Sequence, residues 1–218
     1  MEIRNKNVEL VFIIDISGSM AGMESDTIGG FNSMLEQQKK TEGNKFVTTY
    51  LFNQSHRLLH DRLDIGEGSP LTERDYCARG STALIDCIGD AIKHIEYVHR
   101  YIRPEDVPVK TIFAITTDGL ENASRKYSSS EVKAMIERKK KEDGWEFLFI
   151  GANIDAISTA KSFGIEEDRA VNYRADKQGT GVVYQAVCKA VSGMRKGGKL
   201  APGWSAPIQE DFENNDRG

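Results

Sequence analysis

Cysteine is scarce. The chain of 218 residues has three, Cys77, Cys87 and Cys188, far apart and without a CxxC pair, so they read as reduced thiols rather than a disulfide framework, two of them packed inside helices. Charge of one sign is scarce too: a formal net charge of -4 gives no electrostatic case for nucleic acid or an anionic membrane. No run of apolar residues approaches a membrane span, and Met1 to Asn7 lacks the apolar stretch of a signal peptide. From these absences a cytoplasmic protein is expected, with no membrane and no nucleic acid among its partners. Phosphate-loop, nucleophile-elbow and DxD patterns are missing as well.

What is present is a regular alternation of strand and helix. Val8 to Ile14 is an apolar run that ends in Asp15, and a helix follows from about Ser25 to Lys40, with Ile28, Phe31, Met34 and Leu35 at helical spacing. Phe46 to Phe52 is aromatic and β-branched, hence a strand, and Arg57 to His60 reads as its short antiparallel hairpin partner. A loop from Asp64 leads to a helix from Ala83 to about Arg100. Val109 to Thr117 and Trp145 to Ile150 are further buried strands, with a helix capped by Ser128 between them. A short helix from Asp155 to Phe163, a short edge strand near Arg169 to Tyr173 and a helix from Lys177 to Met194 complete the series. Such alternation implies a mostly parallel sheet covered by helices on both faces, an α/β fold whose ligands bind beyond the carboxyl ends of the strands.

Oxygen-bearing residues gather at those ends. Asp15, Ser17 and Ser19 follow the first strand on alternate positions, Thr82 opens a helix, and Asp118 follows the strand ending at Thr117. Singly, the serines and Asp118-Gly119 suit turns, and Asp15 and Thr82 suit helix caps. Jointly they offer two carboxylates and three hydroxyls, the donor set of a hard divalent cation such as Mg²⁺, with Mn²⁺ or Ca²⁺ as alternatives.

The DxSxS run, the threonine of Gly80-Ser81-Thr82-Ala83-Leu84 and the aspartate of Thr117-Asp118-Gly119 resemble the metal-ion-dependent adhesion site of von Willebrand factor A (VWA) domains. The likeness extends in strand and helix order from about residue 8 to residue 195. It implies a Rossmann-like, doubly wound sheet of six strands, one short antiparallel strand at its edge, and a domain spanning residues 1–197. It also implies metal ligation by Asp15, Ser17, Ser19, Thr82 and Asp118, with an open position for a carboxylate from a protein partner. The implied function is metal-dependent protein binding by a regulatory or adaptor subunit, not catalysis. A Mg²⁺-dependent hydrolase or phosphoryl-transfer enzyme using the same aspartates is the alternative.

Around the site, Met20, Glu24, Ser81, Gly119, Glu121 and Asn122 are expected to form the rim that meets the partner. Met20 to Met23 lacks the acidic residues that hold a second ion in some adhesion receptors, so one metal is expected. Residues 198–218 turn toward glycine, proline and acidic side chains and read as a flexible tail.

Overall fold

A computed structural model describes residues 7–41 and 43–214. Six strands form one sheet: β1 (Val8–Asp15), β2 (Lys45–Phe52), β3 (His56–Asp64), β4 (Lys110–Thr117), β5 (Glu146–Gly151) and β6 (Ala170–Asn172). Their order is β3-β2-β1-β4-β5-β6, with every neighbour parallel except the β2/β3 pair. The helices are α1 (Glu24–Lys39), α2 (Leu84–Tyr101), α3 (Ser129–Asp143), α4 (Ala156–Ser162), α5 (Lys177–Gly197) and α6 (Ala206–Asn214). The expected α/β Rossmann-like architecture is present.

Period-two alternation divides the core. On β1, Leu10, Phe12 and Ile14 face a cluster with Phe31, Met34 and Leu35 of α1 and Val183, Val187 and Val191 of α5. Val11 and Ile13 face the other cluster, with Ile88, Ala91, Ile92 and Ile95 of α2 and Val132 and Ile136 of α3. Edge-to-face contact of Phe12 with Phe31 at 5.4 Å and stacking of Phe113 on Phe147 at 4.7 Å tie sheet to helix and strand to strand. Ser128 and Glu131 make a reciprocal capping box on α3, and Gly144 ends that helix in the left-handed region at φ 63°. The order of strands turns back between β1 and β4, so the crevice beyond their carboxyl ends is where a ligand site is expected.

Three expectations are corrected. The hairpin strand β3 is nine residues long, because a bulge opposite Val47 to Tyr50 and a left-handed Arg62 (φ 47°) let pairing continue past His60. Thr82 does not open α2. It lies before Ala83, the residue at the helix cap. The tail is not free over its described part: Leu200, Trp204 and Ile208 are buried in the α1/α5 core, and the Trp204 indole donates to the Asp168 carbonyl at 2.8 Å. Spaced apolar anchors after the α5 end thus bind this segment to the body, α6 lying against α5 and β6. Residues 215–218 lie outside the described residues. Among the described residues no helix is long and apolar enough to cross a membrane.

His60 is buried between Thr49 and the Ser69 carbonyl, 3.0 Å from Nδ1 and 2.9 Å from Nε2. A carbonyl only accepts, so Nε2 carries the proton and Nδ1 accepts from the threonine hydroxyl. Burial holds its pKa below the ordinary 6.5. The unfolded chain therefore takes up a proton that the native chain refuses. Its contribution to stability is complete above pH 6.5 and lost as pH falls from there toward the lower native value. His60→Gln is expected to flatten that slope by up to about 1.4 kcal/mol per pH unit, measured by urea unfolding across the acidic window. Equal slopes would refute the assignment.

Candidate metal centre

The carboxyl end of β1 is built to hold a carboxylate still. Asp15 is fully buried, its Oδ1 accepting from the Ser17 amide at 2.7 Å and its Oδ2 from the Thr117 hydroxyl at 2.6 Å. The Ile16 amide still pairs with Phe52 of β2 at 2.8 Å, after which Gly18–Met20 turns as a short 3₁₀ segment. Two loops are stitched onto this turn: the Gly18 amide donates to the Gly80 carbonyl and the Arg79 amide to the Ile16 carbonyl, both at 2.9 Å. Gly80 sits at φ 81°, the left-handed region that favours glycine. Beneath them the Tyr76 hydroxyl donates to the Asp15 carbonyl at 2.6 Å.

The remaining oxygens converge on the same edge. Ser17 and Ser19 hydroxyls are 3.1 Å apart, and the Ser19 hydroxyl donates to Asp118 Oδ1 at 2.5 Å. Thr82 is clamped by Asn122, whose side-chain oxygen accepts from the Thr82 amide at 2.9 Å and whose amide donates to the Thr82 carbonyl at 3.0 Å. A β-carbon on Gly119 would lie 3.2 Å from the Ser19 hydroxyl and 3.3 Å from that of Thr82. The five residues singled out in the sequence are therefore neighbours. Gly119→Ala is expected to crowd both hydroxyls and weaken divalent-cation affinity by about tenfold without unfolding the chain, as read by calorimetric titration. Unaltered affinity would show that these hydroxyls do not ligate.

The electrostatics of this edge are those of two buried carboxylates held close together. Burial raises the pKa of Asp15 against the opposing hydrogen bonds from Thr117 and Ser17. Burial likewise raises that of Asp118, with the Ser19 hydroxyl opposing and the charge of Asp15 adding to the rise. Neither carboxylate has an ion pair among the described residues. Glu9, on the same strand and equally buried, has the Arg62 guanidinium at 3.0 Å. Nor do three His, Cys, Asp or Glu side chains gather as a metal cluster among the described residues. A metal here must draw on hydroxyl oxygens, which suits a hard ion, and the residues present fit one.

The expected rim is only partly at the surface. Met20 is buried in the α1/α5 core, a correction that follows from the 3₁₀ turn folding its side chain inward. Glu24 is engaged by the Gly22 amide at 2.7 Å. Glu121 accepts from the amides of Ile85, Ala123 and Ser124, capping the start of α2 rather than facing outward. Ser81 and Asn122 are exposed and Gly119 half-buried. Sequence reading missed Thr117 and Tyr76, which position Asp15, and Leu120, which is 64% exposed beside the site. The adjacency of Thr117 to Asp118 was the one available signal.

Solved structures share this arrangement of strands and helices. The chain is similar to the vWF domain of the type V pili tip protein Mfa5 from Porphyromonas gingivalis, with a TM-score of 0.62 and 10% identity over 89% of this chain and 98% of that one. The chain has the von Willebrand factor A fold. The same VWA fold relates it to von Willebrand factor type A from Catenulispora acidiphila, at a TM-score of 0.54 and 14% identity over 86% and 43% of the two chains. Proximal thread matrix protein 1 from the mussel byssus, solved with a zinc-occupied MIDAS motif, matches at 0.57 and 13% over 87% and 47%. The chain thus spans about half the length of the mussel protein. No family model matches the sequence, and no curated protein is similar to it in sequence.

Proposed function

We propose that this VWA fold is a divalent-cation-dependent protein-binding module that takes a Glu or Asp side chain of a partner at the metal. The observation that carries the reading is the pair Asp15 and Asp118, buried with no ion pair among the described residues and beside the hydroxyls of Ser17, Ser19 and Thr82. Two carboxylates roughly neutralise a divalent ion, and neutral hydroxyls leave it electrophilic toward one more carboxylate. Mg²⁺ is the ion proposed, with Mn²⁺ or Ca²⁺ as substitutes. A bound ion supplies a Lewis-acidic point of attachment, and the protein supplies its rigid frame through Tyr76, Thr117 and Asn122.

Binding is favoured over turnover, and the pilus and byssus proteins among the neighbours accord with that reading. A regulatory or adaptor subunit working in the cytoplasm is the role proposed. Calorimetric titration of metal-free protein with MgCl₂, MnCl₂ and CaCl₂ is the test. One ion bound per chain, with affinity lost in Asp15→Ala, is expected. Uptake of no divalent ion, or uptake indifferent to Asp15, would refute the reading.

A further inference from the structure

One cleft next to the proposed metal centre carries an excess of positive side chains although the chain as a whole is acidic. A cleft of about 330 Å³ abuts Ile16, between Asp15 and Ser17, and Arg57, Arg74 and Arg79 line it together with Asn53, His56 and Asp75. Arg57 is matched by Asp75 at 3.6 Å. Arg74 and Arg79 are exposed and have no ion pair among the described residues. Their loop is held in place: the Arg79 amide donates to Ile16, its carbonyl accepts from Asn53 at 3.1 Å, and Tyr76 between the two arginines is bonded to Asp15. The backbone that carries both arginines is thus held beside the strand end that carries the first aspartate.

We propose that this cleft is the second half of the partner-binding surface: Arg74 and Arg79 take a second carboxylate of the same acidic polypeptide segment whose first carboxylate goes to the metal. The proposal rests on the metal reading above. Guanidinium groups bind carboxylates through two parallel hydrogen bonds, and a charge-assisted contact of this kind selects for a second acid near the first. No Phe, Tyr or Trp lines the cleft, so it lacks the broad aromatic platform on which successive bases of a single strand stack. An acidic polypeptide is the partner the surface fits.

The test uses the full chain with fluorescein-labelled poly-L-glutamate, read by anisotropy in MgCl₂ and in EDTA. Arg74→Gln with Arg79→Gln is expected to weaken binding in MgCl₂ by about tenfold or more, with Mg²⁺ affinity by calorimetry unchanged and melting by circular dichroism unaltered. Lys141→Gln, on the exposed end of α3, should bind as wild type does. Equal binding by the double variant overturns the proposal, as does failure of a Mg²⁺-loaded wild type to bind poly-L-glutamate. Binding as tight in EDTA as in MgCl₂ overturns the two-point surface, and displacement by inorganic polyphosphate far below the glutamate concentration assigns the cleft to phosphate instead. A wild type that takes up no Mg²⁺ fails the metal reading itself, a result the calorimetry separates from all the others.

Discussion

Asp118→Asn is expected to stabilise the metal-free protein while removing its response to divalent cations. In the metal-free chain the Asp118 carboxylate is partly desolvated and faces the charge of Asp15, so removing its charge relieves a cost that the hydrogen bond from Ser19 offsets only in part. An asparagine keeps the shape and can still accept from the Ser19 hydroxyl. With an ion present the order reverses, because loss of one of two anionic ligands lowers affinity by on the order of 100-fold or more. Wild type gains about 2.7 kcal/mol when the ion stands at a hundred times its Kd, and the variant gains almost none. Thermal unfolding in EDTA and in MgCl₂ reads both effects. A variant less stable than wild type in EDTA yet still stabilised by Mg²⁺ would mean that Asp118 serves its loop and not an ion.

Arg62→Met is expected to cost about 3–5 kcal/mol of stability, because it strands a buried charge. Glu9 is fully buried on β1 and is held by Arg62 Nε at 3.0 Å and the Thr48 hydroxyl at 3.2 Å. Arg62 reaches it from a left-handed position in β3, its guanidinium resting 4.1 Å above the Phe46 ring and donating to the Asp106 carbonyl at 3.2 Å. His99 lies 3.7 Å from the same carboxylate, too far for a hydrogen bond that could take over. Adding Glu9→Gln should recover much of the loss, since the stranded charge goes with it. Urea unfolding of the two single variants and the double gives the coupling. Simple additivity would show that water already reaches Glu9, and none of the three variants should alter Mg²⁺ affinity.

That pair also marks the limit of reading by sequence. A lone acid in Val8-Glu9-Leu10 gives no hint of its partner, which lies on another strand beyond a bulge. The strands β1, β4 and β5 were legible because burial on both faces demands near-continuous apolar and β-branched runs, and α3 because its cap is local. The convergence of Asp15, Ser17, Ser19, Thr82 and Asp118 was legible as chemistry, since strand ends need no carboxylates for packing. Glu121 and Met20 were misplaced for a common reason: whether a loop side chain turns inward depends on which backbone amides come within reach after folding. Leu200, Trp204 and Ile208 were read as tail because glycine and proline set the local composition, while the surface they cover is built by α1, α5 and β6.

The Tyr76 hydroxyl bonded to the Asp15 carbonyl bears on the kinetics of recognition. A loop tied in this way has lost its conformational entropy when the chain folds, so under the proposed function a partner would meet a surface that needs no further ordering. Association should then be limited by orientation and charge steering and vary little among partners. Differences in affinity should appear as differences in residence time, set by how many acidic groups must let go together.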